Sequence, residues 1–341
     1  MNARPTDGDK VVQAEKAIFY YRSLDSLTIR SLRRKLTRWY DLAKRDLPWR
    51  RTRDPYAIWI SEVMLQQTRV AAVIPYYERF LERFPNAASL AIAPESDLLT
   101  MWAGLGYYSR ARNLQKAAQR ITALGAFPQN YESIRALAGI GPYTAAAIAS
   151  ISFALPHAVV DGNVKRVLAR WTNNAHVDAQ PLADRLLDPR DPARWNQALM
   201  ELGATICVPR DPKCAECPVA PHCAAHHAGT QNDLPLKRVK PIPEQLERTL
   251  LVILRNGSIL LTPSPRVKGF WDLPDHFPQS REGAKLGEFR HTITHRHYRF
   301  TVKEATARTT PAGARWHTQK ELESIPLSTT AKKALRIYNA L

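Results

Sequence analysis

Apolar residues recur at helical spacing through most of the first two-thirds of the chain. Between Ser31 and Ala43 they fall at Leu32, Leu36, Trp39, Tyr40 and Ala43, one face of a 3.6-residue repeat. Asp54-Pro55 reads as a cap followed by a proline-initiated helix, continuing over Tyr56–Gln67. A further helix is expected from about Ala72 to Phe84. The same periodicity predicts helices over 95–102, 109–124, 131–138, 142–153, 163–171, 181–187 and 195–206. Residues 31–225 thus read as almost wholly α, and residues 1–30 stand apart as an N-terminal arm without assignable chemistry. Residues 226–248 change character, with His226-His227, Gly229, Pro235, Pro241 and Pro243 among basic residues, and read as a linker. Beyond it, Thr249–Leu254 and Ser258–Thr262 flank Asn256-Gly257, a two-residue hairpin signal. His297–Val302 and Ala314–His317 read as strands and 328–340 as a terminal helix, so 249–341 is expected to be a small α+β domain. There is no internal repeat.

The 341 residues leave room for two or three domains, and 45% hydrophobic with 23% charged residues describes a globular chain. No apolar run approaches the roughly 20 residues needed to cross a bilayer. Met1–Lys10 is polar with no apolar signal-peptide core behind it, so a cytoplasmic, reducing setting is expected. The formal net charge of +18 points to a polyanionic partner. It is shared, +8 over residues 1–233 and +10 over 234–341, so both parts could lie on nucleic acid.

The stretch 137–171 concentrates the candidate chemistry. It reads as two helices joined at Gly139-Ile140-Gly141, glycines that permit positive φ and close approach to another surface. Pro142 starts the next helix, whose free N–H groups form an anion site suited to a phosphate. Asp161 follows an apolar run and precedes a second basic helix. An ordinary helical hairpin with Asp161 as a mere cap would look alike. All four cysteines, Cys207, Cys214, Cys217 and Cys223, fall within 17 residues as Cys-x6-Cys-x2-Cys-x5-Cys. In a reducing compartment that pattern indicates a metal centre rather than two disulfides. Zinc and a [4Fe-4S] cluster both accept four thiolates, and the spacing leaves the two open. Arg210 and Lys213 lie between the first two ligands, which gives the centre a structural role in holding a basic loop towards phosphates.

Leu137–Thr144, Asp161 and the cysteine spacing together resemble the helix-hairpin-helix DNA glycosylases that carry an iron–sulfur cluster. Within that superfamily, Ser61-Glu62-Val63-Met64-Leu65-Gln66-Gln67-Thr68 and Gly104-Leu105-Gly106-Tyr107-Tyr108-Ser109-Arg110-Ala111-Arg112 resemble the adenine DNA glycosylases, over roughly residues 35–225. The resemblance implies two α subdomains with a [4Fe-4S] loop, and hydrolysis of the N-glycosidic bond of adenine mispaired with 8-oxoguanine or guanine. The expected partner is double-stranded DNA bearing that mispair, bound by a monomer away from any membrane. The base must leave the stack, and its departure calls for one proton donor and one carboxylate. Glu62, within the apolar run Trp59–Leu65, fits the donor, because apolar surroundings keep a carboxyl protonated. By resemblance it protonates adenine and activates water, Asp161 stabilises the cationic sugar or attacks it transiently, and Asn163 holds Asp161 or the water. Tyr143 stands where endonuclease III-like members place a Schiff-base lysine. A phenol cannot form that adduct, so strand cleavage is expected to be weak or absent.

The resemblance also places Gln67 and Thr68 at the wedge opposite the flipped base, and makes Tyr107 the aromatic that intercalates beside the lesion. Gly139 and Gly141 grip phosphate. Arg45, Trp49, Arg50 and Glu201 line the adenine pocket, where Trp49 could stack and Glu201 could read the base edge. The C-terminal part resembles the family's Nudix-like lesion-recognition domain but lacks the Nudix box. The family's Phe-Ser-His loop is matched by Ile293-Thr294-His295, which keeps a hydroxyl at Thr294 and an imidazole at His295 but not the aromatic. Two rival readings remain: an endonuclease III-like glycosylase for oxidised pyrimidines or thymine mismatches, and a non-catalytic DNA-binding protein.

Overall fold

The structure is a computed structural model and describes residues 25–236, 243–275, 280–293 and 296–338. Thr294 and His295 lie outside the described residues, as does most of the N-terminal arm. The helices run in chain order as α1 Ser26–Ala43, α2 Pro55–Leu65, α3 Val70–Arg83, α4 Ala87–Ala91, α5 Glu95–Trp102, α6 Ser109–Leu124 and α7 Tyr131–Arg135. After these come α8 Pro142–Phe153, α9 Gly162–Trp171, α10 Ala179–Leu186, α11 Pro192–Thr205 and α12 Ala224–His227. Six strands follow, β1 Glu244–Arg255, β2 Ser258–Pro263, β3 Trp271–Asp272, β4 Ser280–Ile293, β5 Arg296–Ala307 and β6 Arg315–Thr318, then α13 Gln319–Ser324 and α14 Thr329–Ile337. The contacts divide the chain into two compact units, residues 1–74 with 120–238, and residues 75–119 with 239–341.

In the first unit, α2 and α8 pack together and are apolar on every side rather than along one stripe, as befits buried helices. Ala145, Ala146, Ala147 and Ala149 keep α8 slim enough for close approach. Asp54 starts α2 by accepting from Tyr56 N at 3.0 Å, ahead of Pro55. The helix ends at Leu65, two residues short of the expected Gln67, because Gln67 itself turns to φ +58°. Leu32, Leu36 and Tyr40 of α1 join Val164, Val167 and Leu168 of α9 and Leu199 and Leu202 of α11 in one core. Val219 and Cys223 of the cysteine loop belong to the same core. Asn196 of α11, almost wholly buried, accepts from Val159 N (3.1 Å) and donates to Ser150 Oγ (3.0 Å) and His157 O (2.8 Å). Those bonds fix the segment leading into Asp161.

The second unit contains a mixed sheet of order β3-β2-β1-β5-β4, with β6 also paired to β2. β1 and β5 are parallel and the other pairs antiparallel. The expected β1–β2 hairpin forms at Asn256 (φ +48°) and Gly257 (φ +75°), a turn whose twist matches its strands. One face packs Leu250, Val252, Phe300 and Val302 against Ala331 and Leu335 of α14, and Leu251, Ile253 and Leu260 cover the other. β1 begins at Glu244, inside the stretch read as linker, because its first residues pair with β5 from Arg296 onward. The first half of β4, through Gly283 to Lys285, is exposed without alternation, so there its pairing with β5 defines it, whereas 287–293 alternate.

Residues 75–119 belong with this unit although their helical pattern continues that of the first. Tyr108 packs on Phe270 with centroids 4.2 Å apart, and Arg112 Nη2 donates to Lys268 O at 2.5 Å. Gly269, at φ +80°, leaves no space for a side chain, since a Cβ there would lie 2.9 Å from Leu99 Cδ1. Phe300 is fully buried with its ring against Phe289 (5.0 Å) and Tyr298 (5.5 Å). Replacing it with alanine is expected to cost this unit about 3–5 kcal/mol, read as a fall in the urea midpoint of the sheet's circular-dichroism transition.

Candidate active site

A cavity of about 530 Å³ in the first unit is lined by residues from α2, α8, α9, α11 and the turns beside them. Glu62 on α2 is 5% exposed, and Tyr143 on the first turn of α8 donates its hydroxyl to Glu62 Oε2 at 2.7 Å. The phenol also lies 3.7 Å from Met200 Sδ. Burial pushes the Glu62 carboxyl up from 4.5 to about 7, and nearby Asp161 adds to the rise. The bond from Tyr143 and the charge of Arg50 act against it but do not win. Burial, with Glu62 and Asp161 close by, likewise drives the Tyr143 phenol well above its ordinary value, so it stays a donor.

Asp161 caps α9 through Oδ1, which accepts from Val164 N at 2.7 Å. Its other oxygen, Oδ2, accepts from Asn163 Nδ2 at 3.0 Å. Asn163 Oδ1 in turn accepts from Arg166 Nη2 (2.9 Å), while Arg166 Nε donates to Cys207 O at 2.8 Å. The cysteine loop and Asp161 are therefore joined through three consecutive side-chain hydrogen bonds. A Cβ at Gly203 would fall 2.7 Å from Asn163 Cβ, so only glycine lets α11 pass this close.

Glu201 behaves oppositely to Glu62. It is fully buried, which alone would raise its pKa, but the bonds from Arg45 and Arg50 hold it at about 2. Oε1 accepts from Arg45 N (3.0 Å) and Nε (2.8 Å), and Oε2 from Arg45 Nη2 and Arg50 Nη2, both 2.7 Å. Its carboxylate is thus committed to two guanidiniums rather than facing a base edge. Trp49 completes the expected lining, and Gln67 and Thr68, expected as a wedge, border the same cavity. Gln66, Gln197 and Met200 also line the cavity. Sequence reasoning passed over them, although Gln66 sits in the quoted α2 motif and Met200 directly precedes Glu201.

The remaining candidates lie elsewhere. In the hairpin Gly139 takes φ +76°, whereas Gly141 caps α8 at φ −86°, a value open to any residue. A Cβ on Gly141 would meet open space, so the fold itself does not require glycine there. Tyr107 lies in the second unit and borders a cavity of about 500 Å³ with Arg112, Arg266, Lys268, His291 and Ile293. Cys207, Cys214, Cys217 and Cys223 line a common small cavity with Arg170, whose Nη1 donates to Cys207 Sγ at 3.3 Å. Among the described residues no three His, Cys, Asp or Glu side chains are grouped closely enough to hold a single ion.

The model of the HhH-GPD superfamily of base excision DNA repair proteins matches residues 60–188, a span holding Glu62, the hairpin and Asp161. A solved thermostable thymine-DNA glycosylase has 30% sequence identity and a TM-score of 0.55, over 59% of this chain and 97% of its own. The helical part is thus a base-excision DNA glycosylase fold with an α+β sheet region after it. The human adenine DNA glycosylase is 33% identical over 97% of this chain and 78% of its own length, and the rat protein 34% over 94% and 80%. The chain belongs to the adenine DNA glycosylase family, enzymes of base-excision repair. Among the described residues no helix is long and apolar enough to cross a membrane.

Glu62 links pH to stability. Its folded value of about 7 lies above the ordinary 4.5, so the folded chain keeps a proton that the unfolded chain releases between those values. Its stabilising contribution is fully present below pH 4.5 and is lost as the pH rises to about 7. Against a Glu62→Gln variant, which lacks this titration, wild-type stability should fall across that window by on the order of 3 kcal/mol, measured by denaturant melts at each pH.

Proposed function

We propose that this enzyme hydrolyses the N-glycosidic bond of adenine mispaired with 8-oxoguanine, and of adenine opposite guanine, with little or no lyase activity. The observation that carries the reading is Glu62, buried, protonated near neutrality and hydrogen-bonded to Tyr143 in the cavity that also holds Asp161. An adenine turned out of the duplex enters this cavity. Glu62 gives its proton to a ring nitrogen, the bond from C1′ to the base breaks, and adenine leaves neutral. The sugar is then a cation, stabilised by the Asp161 carboxylate that Val164 N and Asn163 hold in place. Water adds to C1′ and returns its proton to Glu62. Tyr143 keeps Glu62 oriented and offers no amine for a Schiff base, which leaves the strand intact. Trp49 gives the base a flat apolar surface. Glu201 acts by holding Arg45 and Arg50 at the cavity wall.

The rest of the molecule presents the duplex. Gly139 and Gly141 with the α8 N-terminus grip a phosphate, Gln67 and Thr68 press on the stack, and Tyr107 inserts beside the lesion. The sheet region acts as a Nudix-like lesion-recognition domain, with Thr294 and His295 sensing 8-oxoguanine. Four thiols around one cavity, with a guanidinium on one sulfur, suit a [4Fe-4S] cluster, which Cys207, Cys214, Cys217 and Cys223 would hold. When bound, the cluster serves as a cross-link that pins the Arg210–Lys213 loop towards DNA. The protein works as a monomer on chromosomal DNA in the cytoplasm.

Single-turnover reactions on a duplex with one 8-oxoguanine·adenine pair should release adenine, with strand breaks only after alkali. Breaks without alkali, or release only from oxidised-pyrimidine or thymine·guanine duplexes, would hand the case to the endonuclease III-like alternative. The rate should fall as the pH rises through about 7, where Glu62 loses its proton. Glu62→Gln should abolish release while keeping duplex affinity. Because Gly141 opens to solvent, Gly141→Leu should leave thermal stability nearly unchanged yet weaken binding to matched and mispaired duplexes alike.

A further inference from the structure

The turn between α5 and α6 holds one side chain outward in an unusual way. Tyr107 stands at φ +48°, a region that residues with a Cβ rarely occupy. It is 49% exposed, the one aromatic among the described large exposed hydrophobic residues. Directly beneath it lies Arg110, only 9% exposed. Its Nη2 donates to Leu105 O (3.0 Å) and Gly106 O (3.1 Å), and its backbone N to Tyr107 O (2.9 Å). The guanidinium sits between two rings, 5.3 Å from the Trp102 centroid and 5.6 Å from that of Tyr107. Fully buried Trp102 donates Nε1 to Gly106 O at 3.1 Å, and Tyr76 donates its hydroxyl to Ala103 O at 2.9 Å.

Burying a cation is unfavourable, and burial lowers the pKa of Arg110 accordingly. That burden is accepted here to tie down a turn that presents a bare aromatic ring. We propose that Arg110 is a positioning residue that presets Tyr107 as a rigid wedge for duplex DNA. The proposal rests on the reading of Tyr107 as the residue inserted beside the lesion. Opening a base step is costly in itself, and ordering a mobile side chain during insertion would add to that cost. Two carbonyl bonds and a stacked guanidinium remove the second cost beforehand. Lysine retains the charge but neither the planar fork nor the stacking face.

The test compares full-length wild type, Arg110→Lys, Tyr107→Ala and the double variant on an 8-oxoguanine·adenine duplex. Single-turnover adenine release is measured beside the emission of a 2-aminopurine placed next to the mispair, which rises when the stack is opened. Tyr107→Ala should slow release and suppress the rise. Arg110→Lys should slow release about tenfold, as expected for a misplaced but present group, and reduce the rise. Because Arg110 acts through Tyr107, the double variant should match Tyr107→Ala within about twofold. Trp102→Phe, which keeps a buried ring but deletes one turn bond, should shift both readouts in the same direction and serves if Arg110→Lys does not fold. Arg110→Lys or Trp102→Phe at wild-type rate and emission overturns the proposal, as does an Arg110→Lys defect that adds in full to that of Tyr107→Ala. A wild-type rate for Tyr107→Ala removes the wedge reading itself, and Arg110's role with it.

Discussion

The first unit depends on keeping one carboxyl out of water. Glu62 lies on a helix apolar all round, packed against a second helix of the same kind, and its surroundings make the charged form expensive. Moving α8 away from α2 would let water in and return the carboxyl towards its ordinary range. The alanines of α8, the proline starts of both helices and the Tyr143 hydroxyl serve that arrangement.

Three carboxylates in one cavity have three fates, each set by its neighbours. Glu62 has burial and a single phenol donor, and keeps its proton up to about pH 7. Glu201 is at least as deeply buried but meets two guanidiniums, and stays ionised. Asp161, half-buried at a helix start, accepts a hydrogen bond on each oxygen, from Val164 N and from Asn163 Nδ2. Removing one arginine from the Glu201 group would leave a buried charge under-compensated, which is the expensive way to break such a pair. Glu62 and Glu201 are thus separated by environment, not by residue type.

The path from Asp161 through Asn163 and Arg166 to Cys207 O carries the same idea into the loop that bears the cysteines. Arg170 binds the next turns of that loop through Val208 O and Pro209 O, and the segment behind it through Leu234 O. Two arginines one helical turn apart on α9 therefore staple the loop to the helix that Asp161 starts. Val219 and Cys223 add apolar contact from the loop to the same core.

Local physics determined much of this by itself. The 3.6-residue repeat sets the helices, Asp54-Pro55 starts α2, and Asn256-Gly257 makes the hairpin, because periodicity, capping and positive φ act within a few residues. The same holds for Glu62 in its apolar run and for the thiol spacing. Other features needed the chain folded. The first half of β4 has no alternation and exists through its ladder with β5, and β1 reaches back to Glu244 for the same reason. Residues 75–119 look like a continuation of the helical part, yet Tyr108, Arg112 and the space over Gly269 attach them to the sheet. Glu201 reads from its type and place as a group for a base, whereas only the fold brings Arg45 and Arg50, over 150 residues away, to fill both its oxygens. Short-range energies are written in adjacent residues; pairing, desolvation and charge neutralisation depend on partners that only tertiary structure brings together.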